Sequence, residues 1–171
     1  GTVQVGTRIA IVGAGGIGFD VADFLTHDAD DAGFMASWGV DTSLESRGGL
    51  AAAQRTASQR EVHMYQRRPG KMGKGLGKTT GWIHRNTLKQ RGVKQWSGVT
   101  YDRVDDQGFH VTLEDGTSHV QAVDQVVVCA GQVSFVPSDL SHPNLTIIGG
   151  AKDAKGLDAQ RAILEGMVPK G

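Results

Sequence analysis

The 171-residue sequence has one cysteine, Cys129, and that scarcity is the first constraint. A single thiol excludes an internal disulfide, and it excludes a four-cysteine zinc or iron–sulfur site built from this chain alone. Lying in the apolar run Val126-Val127-Val128-Cys129, it reads as a small buried core residue. Net charge is missing too: 18 basic and 18 acidic residues cancel, so no global field directs the chain toward nucleic acid or an anionic membrane. No apolar run approaches the roughly 18 residues of a membrane span, and no basic-then-apolar leader is visible. From these absences we expect a soluble, cytoplasmic protein with no nucleic-acid or membrane partner. The chain also opens without a methionine, almost at its first strand, and is expected to be a piece of something longer.

What it has in excess is glycine, 25 residues, about twice the usual share of roughly 7%. Apolar runs separate the glycines, so they predict tight turns and close backbone approaches rather than disorder. Arg8-Ile9-Ala10-Ile11-Val12 has strand length and runs into Gly13-Ala14-Gly15-Gly16-Ile17-Gly18; Ile17, Val21, Phe24 and Leu25 then recur at helical spacing. From His27 to Gln59 no period is visible. This stretch holds an acidic cluster (Asp28, Asp30, Asp31), and a short helix is expected around Phe34 to Trp38. Segments of this length without regular structure are usually functional or mobile.

Glu61 to Gln66 reads as the second strand, Thr80 precedes a helix ending near Gly92, and Val93 to Trp96 reads as a third strand. Beyond Val99 the period becomes two. Asp105-Asp106-Gln107-Gly108 and Glu114-Asp115-Gly116-Thr117 sit between alternating runs, which predicts a three-stranded antiparallel meander. Gln125 to Cys129 reads as a buried strand and Leu145 to Ile148 as a last strand. The final helix is expected to carry Leu157, Leu164 and Val168 on one stripe. The fold class that follows is α/β: a Rossmann-like, mostly parallel sheet with a β-meander.

The GxGxxG spacing of Gly13, Gly15 and Gly18 alone is weak evidence, but strand before and helix after is the context it requires. In a dinucleotide site Gly13 makes the turn, Gly15 lets backbone approach a pyrophosphate, and Gly18 allows close packing of helix on strand. The helix start offers N–H groups and a positive dipole end to phosphate. The alternative is a turn that binds nothing. At the end of the second strand such a site usually carries an acidic residue for a ribose hydroxyl. None stands here; Gln66-Arg67-Arg68 does, with Lys71 and Lys74 behind. Guanidinium groups suit a 2′-phosphate, so NADPH is expected over NADH, the alternative being a solvated basic loop.

Gly77-Lys78-Thr79 imitates the end of a phosphate-binding loop of nucleoside triphosphatases. That motif, GxxxxGK[ST], needs glycine at 72, where Met72 stands. No ATP or GTP binding of that kind is expected.

Three runs together are more specific: Ile11 to Asp20, Gly75-Leu76-Gly77-Lys78-Thr79-Thr80-Gly81-Trp82-Ile83-His84-Arg85, and Val126 to Gln132. With Ile148-Gly149-Gly150 and Leu157-Asp158-Ala159, they resemble bacterial NADPH-dependent 2,4-dienoyl-CoA reductase, an iron–sulfur flavoprotein of the old-yellow-enzyme type. The resemblance covers nearly the whole chain and departs from the family pattern at Val133-Ser134-Phe135. It implies an NADPH-binding domain over 1–135 with a long insert at about 27–60. Residues 136–171 would be a return segment of an FAD-binding domain otherwise absent.

In such proteins, the resemblance implies, electrons pass from NADPH to FAD, a 4Fe-4S cluster and FMN, and then to a dienoyl-CoA in a barrel domain, as part of fatty acid β-oxidation. FMN and cluster would belong to that barrel. The glycine turn and the basic turn thus put Gly13, Ala14, Gly15, Gly16, Ile17, Gly18, Gln66, Arg67, Arg68 and Lys74 at the cofactor, and the resemblance adds Asp20, Ala130 and Gly131. Gly149, Gly150 and Asp158 would approach FAD. It assigns no catalytic residue and no metal ligand within the chain, implies the missing FAD and barrel domains as partners, and predicts no reductase turnover by the chain alone. Two other readings stay open: a module of another multidomain flavin reductase acting on enoates or amines, and a non-catalytic nicotinamide-nucleotide sensor.

Overall fold

Arg8–Val12 (β1) becomes the centre of a sheet because it is apolar on both faces; Ile9, Ala10 and Ile11 have no exposed surface. The computed structural model describes residues 4–27, 30–55 and 57–167; Asp28 and Val168 lie outside them. Helix α1 (Gly16–Thr26) follows β1, and then α2 (Asp31–Trp38), a short 3-10 turn at Arg47–Gly49, β2 (Glu61–Gln66), α3 (Gly81–Gln90) and β3 (Lys94–Ser97). Strands β4 (Thr100–Asp105), β5 (Gly108–Thr112) and β6 (Ser118–Gln121) precede β7 (Gln125–Val128). Two helices close the order, α4 (Gly149–Lys152) and α5 (Ala159–Met167).

Strands β3, β2, β1 and β7 form a four-stranded sheet in that order, with every pairing parallel. Strands β4, β5 and β6 form a separate antiparallel sheet. The fold is therefore the expected α/β one with a three-stranded meander. The chain divides into two compact units, 1–130 and 131–171. No described helix is long and apolar enough to cross a membrane.

The parallel sheet is covered on both faces, as parallel sheets generally are. On one face Ile9, Ile11, Val62 and Met64 pack with Phe19, Ala22 and Leu25 of α1 and Leu88 of α3. On the other, Ala10, Val12 and Tyr65 pack with Val99 and with Phe109 and Val111 of the meander. This second layer contains a polar chain running from the buried His63 to the exposed Glu61. The Trp96 indole N–H donates to His63 Nδ1 at 3.1 Å, so the imidazole proton sits on Nε2, which donates to Glu61 at 2.9 Å. Burial holds the His63 imidazole below its ordinary value. The hydrogen bond from His63, with that from Lys94, holds the Glu61 carboxyl below its own.

Five local expectations are corrected. Helix α1 buries Gly18, Phe19, Ala22, Leu25 and Thr26, whereas Phe24 is 78% exposed and Ile17 half exposed. A hydrophobic count favours large side chains, but the close approach of helix to sheet is made by small ones. Strand β7 is an edge strand rather than a buried one, and Val128 is 72% exposed. Cys129 is only partly buried, packed against the helix-side core, where burial pushes its thiol pKa up. Leu145–Ile148 is not a strand, and unit 131–171 holds no strand among its described residues. An apolar run becomes a strand only where another strand completes its ladder. Finally, the last helix begins at Ala159, so Leu157 precedes it.

Candidate functional site

The glycine turn lies at the C-terminal ends of the parallel strands, between β1 and α1. The Gly13 N–H donates to the Tyr65 carbonyl at 2.9 Å, and the Cys129 N–H donates to the Val12 carbonyl at 2.7 Å. The end of β1 is thus clamped between β2 and the residue after β7. Gly13 has φ +113°, and a Cβ there would lie 2.4 Å from the Cys129 carbonyl oxygen. A Cβ on Gly18 would lie 2.1 Å from the Gly13 carbonyl oxygen. Both sites exclude any side chain because backbone already fills the space.

Gly15 and Gly16 are the opposite case, with nothing within 4 Å of an added Cβ. Gly15 caps α1 in an extended conformation without a side-chain bond, and no acidic residue stands in the first turn. The helix start therefore keeps its orphan N–H groups and positive dipole end facing open space. Ala14 packs against the helix-side core, while Asp20 is exposed one turn into α1.

At the end of β2 the two arginines are exposed, but Gln66 is occupied: its side-chain N–H groups donate to the carbonyls of Arg68 (2.8 Å) and Gly70 (3.1 Å). Gln66 thus shapes the basic turn rather than reaching out from it. The turn is held from behind as well, since Gly98 N–H donates to the Arg68 carbonyl and Val99 N–H to the Gln66 carbonyl. The Tyr101 hydroxyl donates to the Tyr65 carbonyl at 3.1 Å. Lys74 folds back so that its ammonium would be 3.4 Å from a Cβ on Gly70.

The rest of the glycine–lysine loop is an anchor. Met72 is buried in the helix-side core, and a Cβ on Gly73 would meet Leu76 and Phe19 at 2.8 and 2.9 Å. Arg85 donates to the Gly73 carbonyl at 3.1 Å. One N–H of a guanidinium in the first turns of α3 is thereby bound to the loop. Sequence reading missed three braces here: Gln66, Arg85 and Tyr101. Arg85 and Tyr101 carry no local signal, because they bond residues 12 and 36 positions away, whereas Gln66 bonds residues only two and four positions on.

Ala130 is exposed just past β7, and Gly131, with φ +93°, opens the second unit. Gly149, Gly150 and Asp158 all belong to that unit. The Gly149 N–H donates to Glu165 Oε2 at 2.7 Å, and Asp158 Oδ1 accepts from the Arg161 N–H at 2.8 Å, capping α5. A Cβ on Gly150 would be 3.1 Å from Leu157. The Gly149 N–H and one Asp158 carboxylate oxygen thus have partners inside unit 131–171.

A family model described as pyridine nucleotide-disulphide oxidoreductase matches residues 2–138. Among solved structures, a 2-naphthoyl-CoA reductase in complex with 2-naphthoyl-CoA superposes with a TM-score of 0.53 at 17% identity, over 77% of this chain and 15% of that one. The HOCl-induced flavoprotein disulfide reductase RclA from Escherichia coli gives a TM-score of 0.45 at 13% identity, over 77% of this chain and 23% of that one. The former supports the fold alone. This chain spans less than a quarter of either protein.

Proposed function

The chain belongs to the pyridine nucleotide-disulphide oxidoreductase family, and from that premise we propose that it is the NADPH-binding module of a larger flavin-dependent reductase of the 2,4-dienoyl-CoA reductase type. Family membership carries with it FAD and a pyridine nucleotide as cofactors. The observation that supports a dinucleotide in this chain is the contrast inside its glycine turn. Gly13 and Gly18 are closed by backbone, while Gly15 and Gly16 face open space at the start of α1. A pyrophosphate fits a surface of that kind, since it needs close backbone, free N–H groups and no Cβ.

In this reading, Gly15, Gly16 and Ile17 present backbone to the pyrophosphate. Arg67 and Arg68 select the 2′-phosphate and disfavour a nucleotide without one. Lys74 adds positive charge, and Ala130 and Gly131 border the cofactor from the end of β7. Bound NADPH would supply a hydride; the chain supplies position and electrostatics. The specific reductase type rests on the run Gly75 to Arg85, whose loop and helix start carry the densest resemblance to that family. FAD contacts, FMN, a 4Fe-4S cluster and the acyl-CoA substrate would belong to the remaining length of the protein, and the isolated chain is expected to show no turnover.

Titrating the chain with NADPH, NADH, ATP and FAD tests this reading. NADPH should bind at least about tenfold more tightly than NADH, at least about 1.4 kcal/mol. Arg67→Ala and Arg68→Ala should remove that preference while leaving NADH binding in place. Equal affinities in the unaltered chain, or magnesium-dependent ATP binding, would sink the proposal.

A further inference from the structure

The far end of α1 carries a cavity that the proposed function leaves unused. Helix α1 has 11 residues, so its last residue, Thr26, lies about 16 Å along the helix axis from the glycine turn. There the insert folds back. Its helix α2 is started by Asp30, whose carboxylate accepts the Gly33 N–H at 2.8 Å, and stopped by Gly39 in the left-handed conformation at φ +69°. A bridge between Val40 and Leu50 closes the excursion, and the Gln54 N–H donates to the Ala36 carbonyl at 2.8 Å.

Residues 30–54 of the insert are therefore held by backbone hydrogen bonds, yet α2 buries none of its own side chains. Between α2 and the C-terminal ends of α1 and α3 lies a cavity of about 400 Å³. That volume falls in the ~300–1,000 Å³ range of small-molecule sites.

The walls differ in chemistry. Phe34 and Trp38, one helical turn apart with ring centroids 6.4 Å apart, give an aromatic wall. Across from it, Thr87 and Gln90 of α3 add neutral polar groups. Three charged residues line the space. Arg91 is committed to Asp23, to the Asp23 carbonyl and to His27, and Asp30 to its cap. Arg55 makes no hydrogen bond or ion pair among the described residues. An aromatic pair and one unspent guanidinium, which binds carboxylates bidentately, describe a ligand with a flat apolar body and a single carboxylate.

We propose that the cavity between α2, α3 and the end of α1 is a binding site for a small arylalkyl carboxylate, separate from the nucleotide turn. The aromatic body lies against Phe34 and Trp38, and the carboxylate pairs with Arg55.

The test uses 4-phenylbutyrate as probe and neutral 4-phenylbutyramide as control, on the whole chain, by calorimetry and by tryptophan fluorescence. The carboxylate should bind saturably with a Kd at or below about 1 mM, and the amide at least tenfold more weakly. Arg55→Gln should weaken the carboxylate at least tenfold and leave the amide unchanged. Ser37→Trp, which fills the cavity from α2, should abolish binding of both. Saturating NADPH should not displace the probe. Absence of saturable binding, an unchanged affinity in Arg55→Gln, or competition by NADPH overturns the proposal. Because Arg55 has no partner to lose among the described residues, its variant should keep the unfolding midpoint of the unaltered chain, which separates loss of the site from loss of the fold.

Discussion

The two ends of helix α1 solve different problems with different materials. Its first turn is made of backbone: Gly13 and Gly18 let chain pass against chain, and Gly15 and Gly16 leave a surface with no side chain on it. Its last turn is made of side chains gathered from four segments, with Arg91 of the α3 end bonded to Asp23 and His27, and Asp30 capping the insert helix. A backbone site needs few residue types, so glycine spacing announces it. A side-chain site of this kind can be built from almost any polar and aromatic set, and no spacing marks it.

Substitution of Gly18 should break the first end most severely. In Gly18→Ala the new Cβ would stand 2.1 Å from a backbone oxygen that no rotamer change can move. We expect about 3–4 kcal/mol of destabilisation, read as a fall in the urea midpoint with an unchanged slope. Gly15→Ala is the matched opposite, because its Cβ meets nothing within 4 Å. Stability should change by less than about 1 kcal/mol, while NADPH affinity drops at least about tenfold, ~1.4 kcal/mol. If the two variants lose stability equally, the division into closed and open glycines is wrong. At the other end, Asp30→Ala should cost about 1 kcal/mol through the lost cap, with amide exchange accelerated in α2 and unchanged in the glycine turn.

One acid sensitivity of the fold lies at neither end but at His63, beneath the meander. Its imidazole is held neutral by burial, so the unfolded chain takes up a proton that the folded one resists. Stability should therefore decline as pH falls below the ordinary imidazole value of about 6.5. A second decline should follow below about 4.3 as Glu61, whose folded carboxyl is held low by His63 and Lys94, is forced to protonate. His63→Gln should flatten the upper part of that profile in thermal melts between pH 5 and 7, and an unchanged slope there would remove His63 from the account.

Much of unit 1–130 was legible because its signals are local. The strands β1 and β2 are short apolar runs bounded by turn residues, and the meander carries Asp-Gly between alternating segments. The misreadings share one cause: burial is decided by what packs against an element. Phe24 matched the helical period but faces outward, because Gly18 and Ala22 allow the closest approach to the sheet. Val128 matched a core strand but lies at the edge of the sheet. Leu145–Ile148 has the composition of a strand and no ladder to join. The side-chain bonds of Gln66 and Arg85 to backbone carbonyls were likewise invisible until the loop was folded.

By itself, then, the sequence determined the α/β class, the glycine turn and the absence of any acidic residue after β2. Each of these is a property of neighbours along the chain. Only the tertiary structure decided which glycines are closed and which open, which cations remain free, and that the insert encloses a cavity. Those depend on distances between residues far apart in sequence. The space around a Cβ, or the partner of a guanidinium, is set by whichever segment folding brings there.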